Sequence, residues 1–162
     1  MRRLVLLALC LFLAAPAQAD EDEDFDHAGY YYPFPATSEL FRARAPLLPG
    51  SDRGRRVAFV TALTAQALRQ PYPPGYAVFA KGEHAEKLIV VALGPGQFDT
   101  LFRMRGLLAI LTAQARTTRL FIDLGVEEVF TFFDLAAMIG FAQITVSDGR
   151  DWAHRVVLIP RP

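Results

Sequence analysis

Leu88-Ile89-Val90-Val91 is a run of four apolar residues with no polar residue between them. A strand of that composition needs cover on both faces, so the run predicts a central strand and a sheet built outward from it. The strand extends from Glu86 to Leu93, and a second strand-like run, Tyr76 to Ala80, precedes it. Between them Lys81-Gly82-Glu83-His84-Ala85 has the charge and glycine content of a hairpin turn. Gly94-Pro95-Gly96 then ends the strand and turns the chain.

Helical spacing appears on both sides of this hairpin. Phe59, Val60, Leu63 and Ala67 predict a helix from about Arg55 to Arg69, with Arg56, Thr64 and Gln66 on its other positions and Pro71 as its stop. Pro71-Tyr72-Pro73-Pro74-Gly75 reads as a rigid connection. Asp99 or Thr100 caps a longer helix from Leu101 to Arg116, whose stripe Leu101, Met104, Leu108, Leu111 and Ala115 is widened by Leu107. Arg105, Thr112 and Arg116 fall opposite.

Leu120 to Leu124 fits either a strand or a helical turn closed by Gly125. Thr131 and Asp134 have the spacing of a capping box and introduce a short helix from Phe132 to Ile139, with Phe132, Leu135 and Ile139 inward and Gly140 at its exit. Phe141 to Val146 and Trp152 to Ile159 form a terminal hairpin around Ser147-Asp148-Gly149-Arg150. The expected fold is a single α+β domain: an antiparallel sheet from two hairpins packed against two or three helices on one side, preceded by an N-terminal arm.

The N-terminal residues read as an address. Arg2 and Arg3 precede twelve apolar residues, Leu4 to Ala15, and Ala17-Gln18-Ala19 has the small-x-small pattern of a signal-peptidase site. Residues 1–19 are therefore expected to be a cleavable signal peptide, with a periplasmic or secreted product. The apolar run is too short for a membrane span of about 20 residues, so no stable membrane insertion is expected after cleavage. Cleavage also removes Cys10, the only cysteine. The remaining 143 residues have neither thiolate nor disulfide, and their stability must come from packing.

Residues 20–50 read as an acidic and aromatic arm, and 51–162 as the compact domain. The arm opens with six acids between Asp20 and Asp26. Setting these aside from the 17 anions, and Arg2 and Arg3 from the 17 cations, leaves 11 and 15, so the chain from His27 onward carries about +4. Tyr30, Tyr31, Tyr32 and Phe34, beside Pro33 and Pro35, form a stiff amphipathic surface suited to partner contact, with Arg103 or Arg105 as cationic supplements.

Chemistry-bearing residues are sparse. His27, His84 and His154 lack metal-ligand spacing, and the best metal set a fold could assemble joins His84 and His154 with Asp148. Ser147, Asp148 and His154 supply the residue types of a triad from one hairpin, too close together to provide base and oxyanion hole as well. There is no phosphate-binding or dinucleotide fingerprint, the arginines form no stripe for nucleic acid, and no cofactor is implied.

Several stretches carry a family resemblance: the tyrosine arm, Tyr72-Pro73-Pro74, Phe79-Ala80-Lys81-Gly82, Ala85 to Val91, Phe132-Phe133-Asp134-Leu135 and Ile144 to Gly149. Together they resemble a family of small exported alphaproteobacterial proteins of uncharacterised function, over His27 to Val157. Some members of that family carry the label molybdopterin-guanine dinucleotide biosynthesis protein A. The present sequence departs from what the label implies, having a leader and no glycine-rich loop near its start, so no catalytic residue carries over. The features together predict a non-enzymatic periplasmic accessory or binding protein whose partner is a periplasmic protein or a small ligand. The alternative is a periplasmic enzyme such as a metal-assisted hydrolase.

Overall fold

The computed structural model describes residues 34–162 apart from Pro73, Pro95, Gln97, Phe98, Asp99, Glu127 and the side chain of Leu101. The expected signal peptide, the acidic run and Tyr30, Tyr31 and Tyr32 lie outside the described residues. Five strands, β1 (Thr37–Pro46), β2 (Tyr76–Lys81), β3 (Lys87–Ala92), β4 (Gln143–Ser147) and β5 (Ala153–Arg161), form one sheet in the order β1-β5-β4-β3-β2. The helices are α1 (Arg53–Ala67), α2 (Leu101–Arg116), α3 (Arg119–Leu124) and α4 (Phe132–Met138). The chain is a single α+β domain with both expected hairpins, β2–β3 and β4–β5.

Two features differ from the sequence reading. The sheet is mixed and not antiparallel, because the hairpins join through β3 and β4 running parallel, from Lys87 opposite Gln143 to Val91 opposite Ser147. A parallel pair needs a long crossover, and α2, α3 and α4 supply it. The second difference is β1. Thr37 to Pro46, read as part of the extended arm, is an edge strand running parallel to β5, with Thr37 opposite His154 and Phe41 opposite Leu158. Its sequence hides this because only small residues, Ala43 and Ala45, are buried while Arg42 and Arg44 stay exposed.

Leu88, Ile89, Val90 and Val91 are all buried, as a central strand requires. Leu88 and Val90 join Ile144, Val146, Val156 and Leu158 on the face that meets the helices. There Phe59 of α1 lies edge-on to Phe121 of α3, with ring centroids 5.7 Å apart, and Leu111 of α2 and Leu135 of α4 complete the core. The buried line of α2 is Leu107, Leu111 and Ala115, so the helix is turned slightly from the expected stripe, and Met104 and Leu108 are only half-buried.

The local signals were accurate where they were chemical. Thr131 and Asp134 make the capping box, with the Thr131 amide donating to the Asp134 carboxylate at 2.8 Å. Leu120 to Leu124 takes the helical alternative, within α3, and Gly125 closes it with φ +57°. Arg56 departs from the reading that placed it with the polar positions of α1. It is 7% exposed and reaches across the core boundary to main-chain carbonyls. Nε and Nη2 donate to His84 at 2.9 and 2.8 Å, and Nη1 to Gly140 at 3.2 Å and Ile139 at 3.4 Å.

Candidate functional site

A cleft opens where the end of α1, the start of β2 and the outer side of α2 meet. Its volume is about 620 Å³, within the range of sites that hold small ligands. Gln70, Tyr72, Tyr76, Arg103 and Gln114 bring polar groups to it, while Leu107 and Ile110 provide apolar surface. Gly75, Gly96 and Gly106 leave the space open, and a Cβ added at Gly106 would meet nothing within 4 Å. An apolar groove of about 300 Å³ continues from the cleft along β2, between Leu63 of α1 and its C-cap Leu68 on one side and Ala77, Phe79 and Leu93 on the other. Ala67, Pro74 and Tyr76 line both, so the two spaces adjoin.

The polar groups are held by local structure. Thr100 caps α2, its hydroxyl accepting from the Arg103 amide at 3.2 Å, which sets Arg103 in the first turn of that helix. The Arg103 guanidinium donates to the Gly96 carbonyl and has further partners. The Tyr76 hydroxyl donates to Gln114 Oε1. Burial raises the Tyr76 pKa, outweighing the Gln114 bond that lowers it, so the phenol stays neutral near pH 7 and serves as donor or acceptor. Among the described residues the cleft thus offers Arg103 as a cation and several neutral hydrogen-bonding groups around apolar walls.

Of the residues singled out from sequence, Arg103 lines this cleft and Arg105 is exposed on α2 outside the lining set. Phe34, half-exposed, lies under the Arg155 guanidinium, 5.4 Å from its ring centroid. His84 is exposed in the β2–β3 turn, its amide donating to Glu86 at 3.0 Å. His154 lies on β5, where Nδ1 is 2.7 Å from the Thr37 hydroxyl and Nε2 is 3.5 Å from Glu39. Val146 stands opposite His154 and in turn beside Val90, whereas His84 lies beyond the Lys87 end of β3, so the sheet holds the two imidazoles apart.

Asp148 serves the β4–β5 turn. One of its carboxylate oxygens accepts from the amides of Arg150, Asp151 and Trp152 at 2.9, 3.2 and 3.0 Å. Burial pushes its pKa up, but the Arg150, Trp152 and Asp151 hydrogen bonds outweigh that and hold it below the ordinary value. Ser147 is equally occupied, donating to the Trp152 carbonyl at 3.0 Å and accepting from the Gly149 amide at 3.0 Å. Ser147 pairs with Ala153, so His154 projects from the opposite face of the sheet and the three triad residue types do not converge. Among the described residues no three His, Cys, Asp or Glu side chains form a group able to hold a metal ion, and no helix is long and apolar enough to cross a membrane.

Sequence reasoning missed Gln70, Tyr76, Gly106 and Gln114 as a set. The available signal was the Tyr72-Pro73-Pro74-Gly75 connection, read as structural, which supplies Tyr72, Pro74 and Gly75 to the wall. Comparison with protein families, with curated proteins and with solved structures finds no match for this chain.

Proposed function

We propose that this is a non-enzymatic binding protein, an exported accessory component of the periplasm, and that its ligand occupies the cleft between α1, β2 and α2. The observation that carries the reading is the convergence of Gln70, Tyr76, Arg103 and Gln114 on a space of about 620 Å³ that continues into an apolar groove. Such a site suits an elongated ligand with an apolar body and a polar or anionic end. The leader and the resemblance to exported proteins support the compartment.

Gly106 gives a direct test. Gly106→Ala fills open space at a helical position and is expected to stabilise α2 by up to about 1 kcal/mol. Gly106→Trp places a large ring in the cleft without touching the core. In amide NMR spectra, dialysable molecules from periplasmic extract are expected to shift Gly75, Gly106 and Gln114 in the parent and the corresponding positions in the alanine variant, but not in the tryptophan variant. Shifts that ignore the tryptophan, or that cluster on another surface, would refute the assignment.

A further inference from the structure

The register of β2 shows which of its main-chain groups face away from the sheet. The Leu93 amide donates to the Gly75 carbonyl at 2.8 Å, which fixes the phase of the antiparallel ladder. Ala77 with Val91 and Phe79 with Ile89 are therefore the hydrogen-bonded pairs, and the N–H and C=O groups of Tyr76, Val78 and Ala80 point away from β3. β2 is the last strand of the sheet, so these groups face no strand among the described residues. The opposite edge is protected differently: β1 carries Arg42, Arg44 and Pro46, and its register with β5 breaks between Arg42 and Pro46. Apart from Lys81 at its end, β2 presents Tyr76 to Ala80 with no charge, proline or bulge, the kind of edge that accepts another strand.

The groove follows that edge and opens, at the Tyr76 end, into the cavity where Arg103 stands. Direction follows from charge. A strand added antiparallel to β2 brings its C-terminus to the Tyr76 end, and thus a carboxylate to Arg103; a parallel strand would bring an ammonium to the same cation. We propose that the ligand is the C-terminal segment of an extended peptide, added antiparallel to β2, with its free carboxylate in the cavity beside Arg103. Main-chain hydrogen bonds to Tyr76, Val78 and Ala80 supply the pairing, and alternate apolar side chains enter the groove beside Leu63 and Leu68. This rests on the cleft being the ligand site.

The test is affinity selection by the mature chain from a random octapeptide library with free carboxylates, and from the same library amidated. Retention from the first at least ten-fold above the second is expected. Val78→Pro removes an outward amide without breaking a bond to β3, while trimming a buried side chain, and should abolish retention. Arg103→Gln, a surface change on α2, should erase the preference for the free carboxylate, and it keeps the test valid if Val78→Pro fails to fold. Equal retention of both libraries, or binding unaffected by folded Val78→Pro, overturns the proposal. A dimer that Val78→Pro dissociates, with no peptide retained, would assign the edge to a second copy instead. Peptide retained only after residues 20–33 are deleted would assign it to the chain's own N-terminal segment. A non-peptide molecule blocked by Gly106→Trp, with neither library retained, would overturn the peptide and leave the cleft as the ligand site.

Discussion

Arg56→Met is expected to lower stability by about 3 kcal/mol, equivalent to a melting point roughly 10 °C lower in a domain of this size. Methionine keeps much of the apolar stem but donates nothing. The carbonyls of His84, Ile139 and Gly140 then lose the guanidinium that binds all three. This differs from removing a buried ion pair, where both charges go together, because the acceptors here are main chain and remain. Arg56→Lys should recover only part of the loss, since one ammonium cannot reach both the β2–β3 turn and the exit of α4. Thermal melts rank the three proteins, and amide exchange near His84 and Gly140 locates the damage. A methionine variant melting within about 2 °C of the parent would refute the bridging role.

Gly140 belongs to the same arrangement. It has φ +88°, and a Cβ there would lie 2.6 Å from Arg56 Nη1. The glycine therefore serves both the turn and the guanidinium that crosses it.

Asp134→Ala should cost about 2 kcal/mol, combining a lost helix cap with the loss of a buried carboxylate whose ion-pair partner, Arg44, is half-exposed. The carboxylate side chain is fully buried and accepts from Arg44 Nη2 at 2.7 Å, the Arg44 amide at 2.8 Å and the Thr131 amide at 2.8 Å. These contacts join β1 to the start of α4. Burial alone would raise its pKa, but the Arg44 side chain, the Arg44 amide and Thr131 together bring it below the ordinary value. A depressed folded pKa gives stability that is fully present above the unfolded value, near pH 4, and is lost as the pH falls through the folded one. Asp134→Asn keeps the shape without the charge. The stability gap between parent and Asp134→Asn, measured by urea unfolding, should be largest near pH 7 and shrink below about pH 4. A gap constant down to pH 3 would show that the ion pair contributes nothing.

What could be read from the sequence was local chemistry. Thr131 with Asp134, Gly125 after Leu124 and the Asp148-Gly149 turn each act within a few residues, so their spacing contains their role. The apolar run at Leu88 likewise located β3. The parallel join of β3 to β4 depends on which distant edges meet, and alternation along one strand carries no such information. Arg56 has the spacing of a polar helix position because its acceptors come from two remote turns. The cleft is hidden for the same reason: Tyr76 lies on β2, Arg103 and Gln114 on α2 and Gln70 on the connection after α1, and the sequence singles out only Arg103 for contact.

The parallel pairing of β1 with β5 also has a consequence for how the chain is made. Among the described residues β1 is the first strand to leave the ribosome, yet its one strand partner there is the last synthesised, more than a hundred residues later: Thr37 waits for His154. The two hairpins close over short distances and can form early, while β1 docks only after the C-terminal strand is complete. A chain cut before Ala153 would therefore lose two ladders at once, leaving β1 unattached and β4 with a raw edge.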